Sequence, residues 1–164
     1  MNFTITPIGI IHTPYSKEHQ RPPFQSVESD PGEFYVEVYT EHTERLDQLD
    51  TFSYIYLLYW LDKANRAPQQ KVTPPWIMNT TVGLFASRSP NRINPIGLSV
   101  VQVKKIINNR IDISGIDAFD TTPLIDIKPY IKDVDMKPNA NNGWLETIDN
   151  QSKEKFKKYF KIKS

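Results

Sequence analysis

Prolines interrupt this chain so often that long helices are not expected over most of its length. The sequence has 13 prolines against 6 glycines, and each proline removes a backbone donor and fixes φ. The short runs between them are rich in β-branched and aromatic residues, and several alternate apolar and polar residues as half-buried strands do. Strands are predicted at residues 3–13, 33–40, 52–61, 81–86, 96–107, 110–116 and 124–127.

The spacing and the connections of these segments indicate the fold class. Asn108 and Asn109 stand between two predicted strands and predict a tight hairpin, because asparagine tolerates a positive φ. The run 52–61 is apolar nearly throughout and suits a strand buried on both sides or a short buried helix; its Tyr, Ile and Trp content favours the strand. Many short strands favour one mainly β domain, either a barrel or a sandwich.

The end of the chain has a different pattern. In the segment 149–161, Phe156 and Phe160 lie four residues apart and lysines fill most of the remaining positions. This spacing predicts a short amphipathic helix with a basic face. The lysines are interpreted either as ordinary solubility residues or as contacts to nucleic-acid phosphates.

Composition narrows the class of protein. With 164 residues, 38% of them hydrophobic, the chain is expected to form one domain with its own core. The absence of cysteine excludes disulfides and thiolate metal sites. Without a signal-peptide pattern or an apolar run long enough to span a bilayer, we expect a soluble, cytoplasmic protein. The net charge of +1 neither demands nor excludes a nucleic-acid partner.

The most unusual stretch is the segment 83–97, GLFASRSPNRINPIG. Arg88 and Arg92 lie four residues apart, and Pro90 stiffens the chain between them. A stiff loop with forked guanidinium donors suits recognition of a phosphate or a carboxylate. Ser, Asn and Pro are also common in ordinary surface loops, so that interpretation stays open as well.

A second candidate is the segment 117–130, DAFDTTPLIDIKPY, which places three carboxylates in one strand–loop–strand unit. Asp120 before Thr-Thr-Pro is also the pattern of an Asx turn. Asp126 and Lys128, on alternating strand positions, are equally the pattern of a solvated ion pair. From the residues alone, these structural interpretations stand beside a catalytic one.

Other chemistry finds little support in the sequence. The three histidines, His12, His19 and His42, have no metal-ligand spacing, and the acidic residues do not form a calcium loop. The chain has no nucleophile elbow, no phosphate-binding loop and no dinucleotide-binding glycine pattern. We therefore expect no metal site and no Rossmann-type cofactor turn.

Four stretches resemble the TrmO (YaeB-like) family of tRNA adenosine N6-methyltransferases. They are IGIIHTPY, LDTFSYIYLLYWL, GLFASRSPNRINPIGLSVV and GIDAFDTTPLIDIKPY, which cover most of the chain from residue 8 to residue 130. With this resemblance, we expect a single closed or partly closed β-barrel domain over 1–135, and a loop and amphipathic helix over 136–164 packed on or beside it. The resemblance implies S-adenosylmethionine as the cofactor, a homodimer, and methylation of threonylcarbamoyl-adenosine at N6 beside the anticodon of threonine tRNA.

Several residues fall at the family's cofactor-binding positions. They are Phe24, Gln25, Asp62, Lys63, Arg88, Leu98, Asp117, Ala118, Phe119 and Asp120. Four positions differ from the family pattern, with Phe24 in place of arginine, Asp62 in place of histidine, Ile93 in place of proline and Thr121 in place of glycine. These differences leave the expected fold unchanged and concern activity and the choice of substrate.

The chemistry of the implied reaction assigns roles to the remaining polar residues. The N6 nitrogen is a poor nucleophile, and a carboxylate near it can accept its proton; Asp120 is the first candidate and Asp126 the second. Arg92 or Lys128 is the candidate partner of the substrate's threonyl carboxylate, and Tyr130 is a further substrate-binding candidate.

Two alternatives to this reaction stay open. The chain is alternatively a non-catalytic relative that binds S-adenosylmethionine or nucleic acid as an interaction module. It is alternatively a methyltransferase that acts on another substrate through the same barrel.

Overall fold

Six β-strands of the computed structural model form one sheet that closes on itself. The structure describes residues 4–23, 26–64, 67–77, 79–160 and 162. The strands in these ranges are β1 (Gly9–His12), β2 (Tyr35–Val38), β3 (Tyr54–Trp60), β4 (Lys71–Val72), β5 (Val82–Gly83), β6 (Ile96–Ile107), β7 (Arg110–Ile113) and β8 (Thr122–Pro129). The order β1-β2-β7-β6-β3-β8 closes through antiparallel pairing of β8 with β1. Strands β4 and β5 form a separate two-stranded hairpin.

Alternation along the strands separates the inside of the barrel from its outer face. In β3 the inward side chains of Ile55, Leu57 and Tyr59 are buried, whereas the outward side chains between them are half-buried. The expectation that this segment is buried on both sides is therefore wrong, because a barrel of one sheet layer leaves its outer face to solvent and short loops. The preference for a strand over a helix is confirmed.

The core lies inside the barrel and draws on all six strands. Fully buried members are Ile11, Val36, Ile55, Leu57, Val101, Ile111, Ile113 and Leu124. Each such side chain contributes roughly 1.5–3 kcal/mol relative to an exposed one. The prediction of a mainly β fold is confirmed.

Most predicted strands are present, with shifts at their ends. Strand β6 covers the predicted range 96–107. Asn108 has a φ of 53° in the hairpin between β6 and β7, as predicted. The predicted strand at 81–86 is wrong after Gly83, because Leu84–Ala86 forms a 3-10 turn. Ser87 closes that turn by donating its backbone N–H and its hydroxyl to the Leu84 carbonyl oxygen.

The C-terminal helix begins with a side-chain cap. The α-helices among the described residues are α1 (Lys132–Asp135) and α2 (Asn150–Tyr159), and α2 confirms the predicted basic amphipathic helix. Asp149 accepts hydrogen bonds from the Ser152 backbone N–H at 2.9 Å and from the Ser152 hydroxyl at 2.6 Å. These bonds lower the pKa of Asp149 and satisfy donors of the first helical turn. None of the helices described for this chain has the length and apolar character needed to cross a membrane.

The C-terminal segment packs on a second apolar cluster beside the barrel core. Trp76, Ile77 and Ile148 are buried there, and Phe156 of α2 packs against them. The rings of Trp76 and Trp144 stack with centroids 5.6 Å apart. The Trp144 indole N–H donates to the Ala86 carbonyl oxygen at 2.9 Å, so this segment also holds the 3-10 turn after β5. The domain boundary at residue 135 stays a prediction.

Candidate functional site

Asp117 lies at the centre of a hydrogen-bonded network at one end of the barrel. The hydroxyls of Ser26 and Ser99 each donate to Asp117 Oδ1 at 2.8 Å. The Tyr59 hydroxyl lies 3.1 Å from the same atom and donates to it. Burial raises the pKa of Tyr59 far above its usual value, and the charge of Asp117 raises it further, so the phenol is a neutral donor. Three donors thus converge on one oxygen of this carboxylate.

A glycine makes room for the tyrosine of this network. Tyr59 in β3 pairs with Gly97 in β6, and the Tyr59 ring packs against the glycine. A Cβ atom at Gly97 would lie 2.1 Å from Tyr59 Cε2. Ser99, two residues after Gly97, points to the same side of β6 because side chains alternate along a strand. The local sequence Gly-Leu-Ser therefore positions both Tyr59 and Ser99 toward Asp117.

The segment 26–30 is held closely against the loop that carries Asp117. A Cβ atom at Gly115 would lie 2.2 Å from the Val27 carbonyl oxygen, so the two backbones approach more closely than a side chain permits. The Tyr15 hydroxyl donates to Asp30 Oδ2 at 3.0 Å in the same region. Burial raises the pKa of Tyr15 to about 12, with a further contribution from this hydrogen bond.

Asp120 lies three residues after Asp117 in the same loop, and hydrogen bonds from the end of β1 hold it in place. The Thr13 backbone N–H donates to Asp120 Oδ1 at 3.2 Å, and the Thr13 hydroxyl donates to the Ala118 carbonyl oxygen at 3.0 Å. The Asp120 backbone N–H donates to the Tyr15 carbonyl oxygen at 2.8 Å. His12 Nδ1 lies 3.3 Å from Asp120 Oδ1. The end of β1 therefore fixes both the backbone and the carboxylate of Asp120.

Lys63 connects the end of β3 to the same loop. Its ammonium group donates to the Asp120 carbonyl oxygen at 3.0 Å and to the Thr121 hydroxyl at 3.2 Å. The same nitrogen lies 3.3 Å from Asp62 Oδ2. Four of the cofactor-binding candidates named from the sequence thus lie together in the structure: Asp62, Lys63, Asp117 and Asp120.

Thr121 has a backbone conformation that favours glycine. Its φ is 62°, in the left-handed region, where a Cβ atom costs roughly 1–2 kcal/mol and where β-branched residues are rare. The family pattern that this segment resembles has glycine at the same place. The loop therefore has the left-handed backbone conformation that suits glycine, and Thr121 is strained in that conformation.

We expect Thr121→Gly to raise the free energy of unfolding by about 0.5–1 kcal/mol. The relief of the left-handed conformation is partly offset by the larger chain entropy of glycine in the unfolded state. Urea denaturation measures the change. Thr122→Gly is the control, because Thr122 is buried at the start of β8 and its loss must destabilise the protein. A loss of stability in Thr121→Gly would show that the hydroxyl contact to Lys63 outweighs the strain.

The other predicted site residues lie away from this cluster or have structural contacts. Leu98 is 64% exposed and points to the outer face of β6, opposite to Ser99. Arg92 donates to the Ser87 carbonyl oxygen at 2.9 Å, and its guanidinium lies over the Phe85 ring, so it holds its own loop. Arg88 is exposed on that loop.

Strand β8 separates the two candidate bases. Asp126 lies four residues beyond Thr122, the first residue of β8, which corresponds to about 13 Å along the strand at roughly 3.3 Å per residue. Asp126 forms an ion pair with Lys128 at 2.8 Å. Tyr130 packs against Tyr56 with ring centroids 5.5 Å apart. The solvated-pair interpretation of Asp126 and Lys128 therefore agrees with the geometry.

A cleft of about 370 Å³ opens at the opposite end of the barrel. It is lined mainly by apolar side chains, among them Ile8, Leu46 and Phe52, and Asp126 reaches it from β8. None of the residues that converge on Asp117 lines this cleft. We therefore place the candidate site by its converging polar groups and not by cavity size.

Some predictions concern residues or groups that the structure leaves without a description. Phe24 and Gln25 lie outside the described residues, and the next residue, Ser26, contacts Asp117.

Ala118 is buried, and Phe119 is partly buried and packs on the barrel core. No group of three His, Asp or Glu side chains within the described ranges is arranged to hold a metal ion.

Several residues of the cluster were missed at the level of the sequence. Tyr59 reads as one more apolar residue of β3, and Ser26 lies in none of the four stretches that resemble the family. His12 and Ser99 lie in two of those stretches but were given no role in the site. The register of the strands brings Tyr59, Ser99 and His12 to Asp117 and Asp120. The alternation of β6 is the one sequence signal that places Ser99 inside the barrel.

Comparisons with known proteins agree with this architecture. The family defined by the tRNA-methyltransferase O N-terminal domain matches residues 10–136. A probable S-adenosyl-L-methionine-binding protein of Pyrococcus abyssi is 40% identical over 140 residues, covering 85% of this chain and 74% of that protein. A tRNA (adenine(37)-N6)-methyltransferase of Mus musculus is 37% identical over 94 residues, covering 57% of this chain and 22% of the mouse protein.

A solved structure of TrmO has the same fold. It is 31% identical, with a TM-score of 0.70, and the superposition covers 87% of this chain and 64% of the TrmO chain. This chain therefore spans less than two thirds of that TrmO chain. The family match covers well more than half of the 164 residues. It includes all the cluster residues that lie between Lys63 and Thr121 in the sequence. The chain belongs to the TrmO family.

Proposed function

We propose that this chain is an S-adenosylmethionine-dependent methyltransferase that modifies N6 of threonylcarbamoyl-adenosine next to the anticodon of threonine tRNA. The observation that carries the proposal is the convergence of Asp117, Asp120 and Lys63 at one end of the barrel, in a member of the TrmO family. The relatives named as cofactor-binding proteins and as tRNA methyltransferases support it.

The polar groups of the cluster fit S-adenosylmethionine by their chemistry. This cofactor supplies a methyl group on a sulfonium cation and carries an amino-acid head. The three hydroxyl donors of Asp117 all use Oδ1, so Oδ2 is the carboxylate oxygen that suits a cation or a ribose hydroxyl. Lys63 supplies an ammonium group for a carboxylate, and Phe119 supplies an apolar surface.

Asp120 is the proposed acceptor of the N6 proton. Its carboxylate is 43% exposed at the edge of the cluster and is oriented by the Thr13 backbone N–H. A carboxylate in this position can accept a proton from a nitrogen held beside it. Asp126 is a weaker candidate, because its ion pair with Lys128 lies at the far end of β8.

The outer face of β3 and β6 supports a homodimer. Leu58 pairs with Leu98 and Trp60 pairs with Ile96 on this face, which we call the outer β3–β6 face. Leu98 is 64% exposed and Val100 is 41% exposed. Contiguous exposed apolar side chains mark surfaces where another molecule packs. We propose that a second copy of the chain covers this face.

We expect Leu98→Glu to convert the protein to a monomer. The substitution places a charge among apolar side chains that the proposed dimer removes from water, and an unpaired buried charge is strongly unfavourable. Sedimentation velocity measures the change in mass. Ile107→Glu is the matched control on the same strand, where Ile107 is exposed outside the outer β3–β6 face. A dimer that persists in Leu98→Glu would rule out this face as the interface.

The tRNA contacts are proposed for two basic elements of the surface. Arg88 is exposed on the loop between β5 and β6, and α2 carries Lys155, Lys157 and Lys158 on its exposed side. Lysine and arginine side chains of this kind contact phosphates without reading sequence, and such binding weakens as salt rises. We place the protein in the cytoplasm, where tRNA is its substrate.

Two measurements test the proposed function. Calorimetric titration with S-adenosylmethionine is expected to show one saturable site per chain, weakened in Asp117→Asn and unchanged in Asp133→Asn on α1, outside the cluster. Methyl transfer to threonine tRNA is then expected only when the tRNA carries threonylcarbamoyl-adenosine. Cofactor binding without methyl transfer to threonine tRNA, whether or not it carries threonylcarbamoyl-adenosine, would indicate a non-catalytic relative. Equal transfer to the tRNA with and without this modification would indicate a different substrate.

A further inference from the structure

His12 is a titratable group that touches the candidate site and has no role in the proposal so far. Its Nδ1 atom lies 3.3 Å from Asp120 Oδ1, the oxygen that also accepts the Thr13 backbone N–H at 3.2 Å. The His12 side chain is 24% exposed, so the ring reaches both the carboxylate and solvent. The distance is slightly longer than an ideal hydrogen bond, as is common for catalytic contacts before substrate binds.

The His12 ring is held in place by a ladder of side chains on the outside of the barrel. His12 in β1 pairs with Tyr35 in β2, and the two rings stack with centroids 4.5 Å apart and an interplanar angle of 17°. The Arg110 guanidinium lies 3.7 Å from the centroid of the Tyr35 ring. Arg110 is fixed in turn by ion pairs with Glu33 and Asp112. The ladder therefore limits rotation of the imidazole and keeps Nδ1 directed at Asp120.

The chemistry of the proposed reaction gives this pair a use. A carboxylate that accepts the N6 proton must lose it again before the next turnover. An imidazole binds a proton more tightly than a carboxylate does in water, and it changes its charge between about pH 5 and 8. An imidazole in contact with the carboxylate can therefore take the proton and return the carboxylate to its ionised form.

We infer that His12 is a positioning residue of the methyl transfer, which receives through Asp120 the proton released by the N6 nitrogen. This inference rests on the proposed function. In the transfer, the N6 nitrogen bonds to the methyl carbon, the bond from that carbon to sulfur breaks with its electron pair going to sulfur, and the N6 proton passes to Asp120. His12 Nδ1 then takes that proton, and the imidazolium releases one proton to water at the exposed edge of the ring and returns to the neutral form that accepts at Nδ1.

The charged groups around the pair set the conditions for this transfer. Lys63 contacts the Asp120 backbone oxygen and is itself paired with Asp62. Arg110, with Glu33 and Asp112, faces His12 only through the Tyr35 ring. His12 and Asp120 are thus in direct contact, with the neighbouring cations and anions paired among themselves.

The kinetic test compares His12→Gln with His19→Gln. His19 is an exposed histidine whose ring contacts Ser16, so its replacement controls for the loss of a histidine as such. We expect kcat of His12→Gln to fall about a hundredfold, at the lower end of the range for acid–base groups, while KM for tRNA stays unchanged. The fall of kcat toward acidic pH is expected to move to lower pH in His12→Gln, where the Asp120 carboxylate alone takes the proton, and to keep its place in His19→Gln.

A spectroscopic test does not depend on activity. The imidazole nitrogens are observed by nitrogen-15 NMR in the unchanged protein and in Asp120→Asn. The signals of His12 are expected to shift strongly in Asp120→Asn, and those of His19 and His42 are expected to stay in place. Unmoved His12 signals would overturn the inference, whatever the fate of His12→Gln.

The outcomes separate this inference from the function on which it rests. If the unchanged protein transfers no methyl group, the proposed function and the role of His12 both fail. If it does transfer the group, and His12→Gln keeps its full kcat and pH profile, only the role of His12 fails. Loss of kcat in His12→Gln, together with a loss in the double variant His12→Gln/Asp120→Asn that is smaller than the product of the two single losses, supports the coupled pair.

Discussion

Gly97→Ala is expected to lower the free energy of unfolding by about 3 kcal/mol or more. A Cβ atom at this position would lie 2.1 to 2.6 Å from three atoms of the Tyr59 ring, and the ring is only 2% exposed and has no open space to enter. Overpacking of this kind costs roughly 1–3 kcal/mol. Displacement of the ring also breaks its hydrogen bonds to Ser99 and Asp117, and a hydrogen bond to a charged group contributes about 1.5–3 kcal/mol.

Gly83→Ala is the matched control for this substitution. Gly83 also lies in a strand, and a Cβ atom there would meet no other atom within 4 Å. Thermal and urea unfolding of the two variants give the comparison. We expect Gly83→Ala to be as stable as the unchanged protein. Equal stability of the two variants would mean that the Tyr59 ring can move aside without loss.

Asp117→Asn is expected to weaken S-adenosylmethionine binding by about 10- to 100-fold while the barrel stays folded. The amide oxygen still accepts the hydroxyls of Ser26, Ser99 and Tyr59, so the network persists. The negative charge and the second acceptor oxygen are lost, and bonds to a charged group are worth about 1.5–3 kcal/mol, with about 1.4 kcal/mol for each factor of ten. Calorimetric titration measures the dissociation constant.

The control for Asp117→Asn removes a carboxylate elsewhere. Asp133 is exposed on α1, so Asp133→Asn changes the net charge by the same amount outside the cluster. Its dissociation constant is expected to stay that of the unchanged protein. An equal loss in both variants would mean that long-range charge alone sets the affinity, and an unchanged constant in Asp117→Asn would remove Asp117 from the cofactor site.

The strands could be predicted because their signal is local. Alternation along the chain at 96–107 predicts β6 with its full length, and the Asn108–Asn109 pair predicts the following hairpin. The error at 84–86 arose because the Ser87 hydroxyl and N–H close a turn that strand propensity does not register. The burial of the outer face of β3 was wrongly predicted, because apolar and aromatic residues occur on both faces of this strand.

The candidate site could be predicted only in part because most of its contacts are distant in sequence. Asp117 and Asp120 stand in an unusual segment and were found there. Tyr59 and Ser99 reach Asp117 across separations of 58 and 18 residues. His12 is separated from Asp120 by more than a hundred positions, and the stretch IGIIHTPY in which it lies gives no sign of that contact. The cofactor-binding role of Arg88 and Leu98 came from the resemblance alone, and within one chain both lie on the exposed surface.

The packing of the C-terminal segment extends the folded unit beyond the region that the family match covers. The family match ends at residue 136, yet Trp144 and Phe156 cover Trp76, and Trp144 bonds the turn that leads into the Arg88 loop. A protein shortened to the matched region would therefore expose the indole of Trp76 and Ile77 to water and free that turn. Residues beyond the matched region thus hold a loop inside it in place, so a substitution at Trp144 is expected to change the turn that precedes Arg88.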